Sequence, residues 1–382
     1  MIIIIQDPGM KRIVLLYNNA GGGHKSAALA IAQGIREVAG GKFDISLANA
    51  FDRLPFPFDT AEKDYPRLVN YGRPFYSFTF KATNGRRRVV ALRKAFEPIT
   101  DEMAASIVSE HPADLYISCH PVYNQYMPEK IREMGSPAKY MNVVTDLVTG
   151  HLFHYSPKVE LCIVPTEGSR EKAIEALVPP EKILVCGQPV WPDFQRRMGN
   201  REETRQALGL SNDLPVVLLM GGGEGMGRIG ITAREIAFSG LPIQLVIVCG
   251  KNTSLKRDLE FINPRVAAMR VLGFVNTMPE LMGAADILVT KAGPGTICEG
   301  FIAGLPILLF DAVPGQEEGN VDYVVDNGAG AWCPNPFLVT RQLKHWLADE
   351  AVMAQMKAAA LRLARPNSTI DIAKAAIALI SK

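Results

Sequence analysis

Short apolar runs alternate with segments of helical periodicity along the first half of the chain. The runs RIVLLYN, FDISLAN, ADLYISC, KYMNVVTD, VELCIVP and KILVCG are separated by stretches in which apolar residues recur every three or four positions. Continuous apolar strands between helices are typical of parallel sheets that helices cover on both faces. The pattern therefore predicts a doubly wound α/β domain over residues 1–190.

The same alternation begins again after GQPVWPDFQRR, a polar stretch with prolines that predicts a linker. The runs LPVVLLM, IQLVIVCG, MRVLGFV, ADILVT and LPILLFD predict a second parallel sheet over residues 191–366. The final helical pattern, at about 367–382, is expected to pack back on the first domain. Two Rossmann-like domains in series predict that they face a ligand-binding cleft.

Composition narrows the class of protein without identifying a function. The 382 residues, 48% of them apolar, suffice for two cores of ordinary size. Lysine and arginine number 41 against 39 acidic residues, so we expect no nucleic-acid partner. The six cysteines form no C-x-x-C pair, and several lie in strand-like runs, which indicates buried thiols in a cytoplasmic protein.

Glycines follow the first predicted strand in NNAGGGHKSAA, which differs from a P-loop at one decisive position. A P-loop has a glycine directly before its lysine, whereas this chain has His24 before Lys25. Gly22 and Gly23 let the backbone approach a ligand, and His24 enters the first turn of the next helix. Because a helix N-terminus disfavours imidazolium, we expect a neutral ring that can accept a proton. The alternative is a capping loop with an incidental histidine.

Further loops of unusual composition follow strands of the second predicted domain. MGGGEGMGRIG contains G-x-G-x-x-G without an acidic residue at the end of the next strand, so we expect a diphosphate near Gly223 rather than a dinucleotide. In KAGPGTICEG, residues 293–296 suit phosphates and Glu299 suits the paired hydroxyls of a ribose. In DAVPGQEEGN, Gln316 and Glu317 suit vicinal hydroxyls. Together the loops predict a site for a nucleotide-sugar. The alternatives are that Glu299 only interacts with the helix dipole, and that Gln316 and Glu317 belong to an ordinary helix start.

These motifs resemble those of glycosyltransferase family 28, specifically its monogalactosyldiacylglycerol synthase branch, with processive diacylglycerol glucosyltransferases as near relatives. The segments that carry the resemblance lie between about residues 12 and 330 and read GGGHKSAA, VTDL, GGGEGMG, GFVNTMPELM, KAGPGTICEG and GQEEGNVDYVVDNGAG. The resemblance implies a GT-B fold, a UDP-sugar donor, inversion at the anomeric carbon and a diacylglycerol acceptor. We therefore expect galactose or glucose to be transferred to a lipid hydroxyl.

Carried over onto this chain, the resemblance gives the loop residues individual roles. It places the uracil near Phe274, the phosphates on residues 293–296, the ribose on Glu299 and the donor sugar on Gln316 and Glu317. The predicted donor-binding residues are therefore Gly22, Gly23, Gly223, Phe274, Gly293, Pro294, Gly295, Thr296, Glu299, Gln316, Glu317 and Asn320.

An inverting displacement requires a base for the acceptor hydroxyl and stabilisation of the departing diphosphate. His24 matches the histidine of the family pattern, and Asp146 of VTDL is a second candidate base. Loop amides and a helix N-terminus can stabilise the diphosphate, so we expect no metal and no other cofactor. Where relatives carry His-Pro-Thr-Trp-Phe-His, this chain has the shorter TGHLFHY with His151 and His154, for which a surface loop is the alternative. His120 ends another predicted strand.

Residues 51–97 combine aromatic and basic side chains. These are Phe75, Tyr76, Phe78 and Phe80, followed by Arg86, Arg87, Arg88, Arg93 and Lys94. Aromatic residues beside basic ones predict a surface for anionic lipids, and hence a peripheral position on the inner, cytoplasmic face of a membrane. The alternative is an aromatic core element with a solvated basic helix face.

Other functions on the same fold remain open from the sequence alone. A transferase of the peptidoglycan GlcNAc transferase type would use a different lipid acceptor, and a UDP-GlcNAc 2-epimerase would move a proton on the sugar itself. A regulator that binds a UDP-sugar without catalysis is the third alternative. The basic aromatic stretch argues against a soluble epimerase. Neither the choice between galactose and glucose nor the oligomeric state follows from the sequence.

Overall fold

The computed structural model describes residues 9–19, 22–49, 51, 54, 60, 62, 64, 69, 72–223, 225 and 227–381. They form two compact units. The first contains the described residues within 1–66, 78–192 and 367–382, and the second those within 67–77 and 193–366. The described residues within 67–77 count with the second unit, where Arg73 contacts Asp311 and Tyr76 contacts Gln316.

The first unit is built on a parallel sheet. Among the described residues its strands are β1 (Lys11–Leu16), β2 (Phe43–Ala48), β3 (Leu115–Ser118), β4 (Lys139–Val143), β5 (Leu161–Val164) and β6 (Ile183–Val185). The strand order is β2-β1-β3-β4-β5-β6, and Val14 of β1 is in register with Ser46 and Tyr116 on its two sides. The order reverses between β1 and β3, so the loops that follow these strands diverge and leave room for a ligand.

Helices connect these strands. In the described part of the first unit they are α1 (Gly23–Ala39), α2 (Arg73–Thr83), α3 (Arg86–Glu110), α4 (Pro121–Glu133) and α5 (Glu167–Glu175), with 3₁₀ turns at Leu152–His154 and Pro180–Lys182. Helix α1 begins next to Gly22, whose φ of 77° favours glycine. The first five residues of α2 count with the second unit.

The second unit contains its own parallel sheet. Its described strands are β7 (Val216–Met220), β8 (Gln244–Val248), β9 (Ala268–Leu272), β10 (Ile287–Lys291), β11 (Ile307–Asp311) and β12 (Gly330–Trp332). They lie in the order β12-β11-β10-β7-β8-β9, with Leu288 of β10 in register with Leu218 of β7. Every residue of β7 is buried, as expected for a continuous apolar run. The order reverses between β7 and β10, where the glycine loops begin.

The helices of the second unit follow the same alternation. They are α6 (Phe194–Arg197), α7 (Arg201–Ala207), α8 (Ile229–Phe238), α9 (Thr253–Glu260), α10 (Met278–Ala284), α11 (Pro294–Ile302), α12 (Glu318–Asp326), α13 (Pro336–Leu347) and α14 (Glu350–Leu363). The predicted α/β class with parallel sheets is confirmed in both units.

The last helix, α15 (Ser368–Ser381), belongs to the first unit and packs against α1. A Cβ atom at Gly34 would lie 2.8 Å from Thr369 Cγ2, so the two helices approach as closely as a glycine allows. The Lys139 ammonium donates to the Leu379 carbonyl at 2.5 Å, which ties the helix to β4. In the part of the chain that the structure describes, no helix is both long and apolar enough to cross a membrane.

Candidate active site

His24 stands in the first turn of α1, beyond the carboxyl end of β1. Its Nδ1 lies 2.7 Å from the carbonyl oxygen of Cys119 and 3.2 Å from Thr145 Oγ1. Because a carbonyl oxygen can only accept, Nδ1 carries the ring proton and Nε2 carries the lone pair. Burial and the neighbouring His154 lower the pKa of His24 to about 4, although Asp146 acts in the opposite direction. The ring is therefore neutral at pH 7, with Nε2 able to accept a proton.

Two further imidazoles and a carboxylate surround His24. The ring centroid of His120 lies 4.8 Å from that of His24, edge to face, and that of His154 lies 6.5 Å away. His154 Nε2 in turn lies 2.9 Å from Asp146 Oδ2, and both side chains are buried. Asp146 thus contacts His154, and its negative charge acts on His24 through space by raising the pKa of that ring.

The loop that carries His154 is fixed by buried amides. The side chains of Asn124 and Asn142 both donate to the His154 carbonyl at 2.8 Å. Gln125 donates to the carbonyls on either side, those of Phe153 and Tyr155, also at 2.8 Å. The surface-loop alternative is therefore wrong for His154, because the shortened segment is packed into the first unit.

His151 and His120 both cap helices. His151 Nδ1 accepts from the Phe153 amide at 3.1 Å, and its Nε2 lies 3.0 Å from Thr83 Oγ1. Burial lowers the pKa of His151 to about 4. His120 Nδ1 accepts from the amide two residues on in α4, and burial holds the pKa of His120 well below its usual value. Both rings are therefore neutral, and of the two the His120 ring contacts His24.

In the second unit, the start of α11 is open at Gly295. Gly293 is the N-cap of the helix and Pro294 is its first residue, where the missing amide proton costs nothing. A Cβ atom at Gly295 would meet nothing within 4 Å. The Lys291 ammonium lies 3.2 Å from the position of a Cβ on Gly293, which places a positive charge beside the helix N-terminus. Amides, helix dipole and ammonium together suit a bound anion.

Glu299 lies one turn inside α11, with Thr296 before it. Burial raises the pKa of the Glu299 carboxyl to about 7, and among the described residues no neighbouring charge or hydrogen bond contributes to that shift. Part of the side chain remains accessible. A desolvated carboxyl without a compensating partner in the fold is expected to gain from a ligand that supplies hydroxyl donors.

Glu317 and Asn320 are bound by the protein itself. The Lys291 ammonium lies 2.6 Å from Glu317 Oε1, and the Val313 amide donates to Oε2 at 2.9 Å. Glu317 is only 5% exposed. Asn320 donates to the Ala292 carbonyl at 2.9 Å and is fully buried. Each Glu317 oxygen thus has one partner in the protein, and the role of this carboxylate at a donor sugar stays a prediction.

Gln316 and the end of β11 receive contacts from α2. The Tyr76 hydroxyl donates to Gln316 Oε1 at 2.7 Å, and the Arg73 guanidinium binds both oxygens of Asp311 at 2.6 Å. Arg73, Asp311 and Lys291 were not expected at this site from the sequence. The position of Lys291, two residues before the predicted phosphate loop, could have predicted its place at this site. Arg73 could not have been predicted there, because it lies in a stretch whose composition suggests a lipid-facing surface.

The glycine loop after β7 is partly structural and partly open. A Cβ atom at Gly225 would lie 2.2 Å from the Cys249 carbonyl oxygen, and one at Gly250 would lie 2.3 Å from the Gly223 oxygen, so these glycines allow two loops to touch. A Cβ atom at Gly23 or Gly223, in contrast, would meet nothing within 4 Å, which leaves space for a ligand. Glu224 and Met226 of this motif lie outside the described residues.

The predicted uracil neighbour and the aromatic stretch are partly exposed. Phe274, Phe75 and Phe78 are 60%, 63% and 70% exposed. Phe80 instead packs against the His151 ring, with centroids 5.1 Å apart. Much of the segment between residues 50 and 71 lies outside the described residues.

The basic residues of the same stretch do not all behave as expected. Arg86, Arg87 and Arg88 are exposed on the first turn of α3. Arg93, however, forms ion pairs with Glu129 of α4 and with Glu97. This pairing across two helices corrects the expectation that Arg93 is one of the lipid-facing cations.

Comparisons with known proteins bear on both units. The family described as monogalactosyldiacylglycerol (MGDG) synthase matches residues 24–190, and the glycosyltransferase family 28 C-terminal domain matches residues 216–372. A probable chloroplastic monogalactosyldiacylglycerol synthase from Glycine max is 38% identical, over 95% of this chain and 70% of that protein. The chain belongs to the monogalactosyldiacylglycerol synthase family.

The chloroplastic synthase of Spinacia oleracea is 36% identical to this family member, over 96% of this chain and 72% of that protein. Among solved structures, MurG of Acinetobacter baumannii is similar, with a TM-score of 0.60 at 17% identity, covering 96% of this chain and 99% of that one. The fold is GT-B, as the sequence predicted. This member of the synthase family is a UDP-sugar-dependent glycosyltransferase.

Proposed function

We propose that the protein transfers galactose from UDP-galactose to the free hydroxyl of diacylglycerol, with inversion at the anomeric carbon. The observation that carries the proposal is the extent of the similarity: proteins named as monogalactosyldiacylglycerol synthases align with 95% or more of this chain, through both units. The geometry of each unit supports a separate part of the reaction.

The second unit is proposed to hold the donor. The diphosphate would bind the open amides at Gly295 and Gly223, beside the N-terminus of α11 and the Lys291 ammonium. Glu299 would receive the ribose hydroxyls, which provide the donors that its desolvated carboxyl lacks. Amides aimed at the developing charge stabilise the leaving group without a metal. We therefore expect transfer to continue in the presence of a chelator such as EDTA.

His24 is proposed as the base of the displacement. The acceptor oxygen forms its bond to the anomeric carbon as the bond from that carbon to the diphosphate breaks, and the electron pair leaves with UDP. The hydroxyl proton passes to His24 Nε2, because Nδ1 is held by the Cys119 carbonyl. Once His24 is positively charged, the nearby Asp146 carboxylate favours that state.

A membrane surface is proposed as the source of the acceptor. Phe75 and Phe78 are exposed apolar side chains, and Arg86, Arg87 and Arg88 follow on the next helix. Exposed aromatic side chains combined with basic ones suit the interface of an anionic bilayer. The proposal places the protein peripherally on the inner, cytoplasmic face of a membrane, where diacylglycerol is available.

The proposed function is tested with purified protein and radiolabelled UDP-galactose or UDP-glucose, each supplied to anionic vesicles that contain diacylglycerol. We expect label in the extracted lipid from UDP-galactose, and far less from UDP-glucose. Label from UDP-glucose alone would overturn the choice of sugar. Binding of UDP-galactose with all label left in the aqueous phase would overturn the transferase itself and favour an epimerase or a regulator.

A further inference from the structure

Helix α2 presents two polar side chains to the loop that the family resemblance assigns to the donor sugar through Gln316. We call residues 311–317 the donor loop. Arg73 binds Asp311 at the start of this loop, and Tyr76 binds Gln316 near its end. Positions three apart share one face of a helix, so both contacts come from the same face of α2. The described residues within 67–77 belong to the second unit, in agreement with these contacts.

Asp311 is held on several sides. The guanidinium of Arg73 binds Oδ1 and Oδ2, each at 2.6 Å, and the Ala312 amide donates to Oδ1 at 3.0 Å. A Cβ atom at Gly227 would lie 2.6 Å from Oδ2, so the glycine loop also approaches this carboxylate closely. Asp311 is 5% exposed, and a buried carboxylate with a two-pronged arginine is a strong and directional contact. The start of the donor loop is thereby fixed against Arg73.

The contact at the other end sets the orientation of a side-chain amide. Gln316 Oε1 accepts the Tyr76 hydroxyl proton at 2.7 Å. An amide has an acceptor oxygen on one side and a donor nitrogen on the other, and a rotation of half a turn exchanges them. Because Tyr76 holds the oxygen, it also determines the direction of the nitrogen. Epimeric sugars differ in the direction of one hydroxyl, so the orientation of such an amide bears on which sugar is accepted.

We propose that Arg73 and Tyr76 are positioning residues that set the sugar selectivity of the donor site, by fixing the donor loop and the amide of Gln316. The inference rests on the proposed function in that the donor is a UDP-sugar. Arg73 acts through its contact with Asp311, and Tyr76 acts through its contact with Gln316. Because residues 311–317 are assigned to the sugar, we expect the effect to fall on the sugar rather than on the nucleotide.

The experiment compares the wild-type protein with Tyr76→Phe, which removes only the hydroxyl. Calorimetry is used to measure the affinities for UDP and for UDP-galactose separately, and initial rates give kcat/KM with UDP-galactose and UDP-glucose. We expect the affinity for UDP-galactose to fall about fivefold, as for the loss of one neutral hydrogen bond. The affinity for UDP should stay within about twofold, and the preference for one sugar should fall by a similar factor as the UDP-galactose affinity.

A matched control is Tyr116→Phe. The Tyr116 hydroxyl donates to the His111 carbonyl at the same distance of 2.7 Å, but in the core of the first unit. This variant should keep the wild-type ratio of UDP-galactose to UDP affinity. The double variant of Tyr76→Phe and Gln316→Ala should bind UDP-galactose no more weakly than Gln316→Ala alone, since Tyr76 acts through Gln316.

Equal losses of UDP and UDP-galactose affinity in Tyr76→Phe would overturn the inference, because they would indicate general damage to the second unit. Unchanged affinity and unchanged sugar preference would overturn it as well. The outcome is separable from that of the proposed function, because calorimetry needs no turnover. A wild-type protein that binds UDP-galactose and labels no lipid would refute the transferase and leave the comparison of variants decisive.

Discussion

Replacing His24 with alanine tests the proposed base, and the structure sets the expected size of the effect. The Cys119 carbonyl fixes the ring tautomer, so Nε2 is the nitrogen that accepts the hydroxyl proton. Loss of a positioned general base lowers kcat by about 10²- to 10⁴-fold. This corresponds to about 3 to 5 kcal/mol of transition-state stabilisation. UDP affinity should stay within about twofold, because the proposed nucleotide contacts lie in other loops.

The pH dependence of the transfer rate is a second, independent test of His24 as the base. With the pKa of His24 lowered to about 4, the neutral ring exceeds the protonated ring by about 10³ at pH 7. Because its pKa is lowered, His24 stays neutral and able to accept a proton as the pH falls. It becomes protonated, and the rate declines, only when the pH passes through that pKa. We therefore expect kcat, measured at saturating UDP-galactose so that the donor already occupies the Glu299 site, to be level from about pH 8 to pH 5 and to reach half near pH 4. An ordinary histidine would reach half near pH 6.5.

Initial rates with UDP-galactose and diacylglycerol vesicles between about pH 4 and 8 are the assay, together with calorimetry for UDP. His345→Ala is the matched control, since His345 is an exposed histidine in the last turn of α13 and should leave the rate unchanged. Activity of His24→Ala above about a tenth of the wild-type activity would refute the assignment of His24 as the base. A half-maximal rate near pH 6.5, or loss of UDP binding in step with the rate, would refute it equally.

Other predictions concern the donor loops and the basic helix. Glu299→Gln should flatten the pH dependence of thermal unfolding: a folded pKa of about 7, above the ordinary 4.5, means that the wild type loses stability as the pH rises from about 4.5 to 7. An equal decline in the variant would contradict the burial of that carboxyl. Gly295→Ala should weaken UDP binding at least about tenfold in calorimetry, without lowering Tm, because a methyl there meets only the space proposed for the diphosphate. Replacing Arg86, Arg87 and Arg88 with glutamine should weaken the free energy of binding to anionic vesicles at low salt by about 1 kcal/mol for each charge, which flotation measures. Binding to neutral vesicles should not change.

The arrangement of strands and loops followed from the sequence because it depends on local patterns. Continuous apolar runs such as β7 are recognisable as buried strands, and glycines that follow them mark the edge where ligands bind. The family resemblance extended the same motifs to a GT-B fold, and the similarity to MurG confirmed it. The roles given to individual donor residues stay predictions.

Contacts between distant parts of the chain could not be predicted in the same way. Arg73 and Asp311 are 238 residues apart, and no pattern in either segment specifies the partner. The contacts of Glu317 with Lys291 and with the Val313 amide are likewise not specified by its motif. The tautomer of His24 depends on the Cys119 carbonyl, a backbone group whose position only the folded sheet determines.

The central claim is tested most directly by the identity and anomeric configuration of the lipid product. Purified protein would be incubated with UDP-galactose and diacylglycerol vesicles, and the extracted lipid would be examined by proton NMR at the anomeric position. Because the donor sugar is α-linked to UDP, an inverting displacement predicts β-galactosyldiacylglycerol. An α-linked product would contradict the single displacement with His24 as base, and the absence of any galactolipid would contradict the proposed transferase.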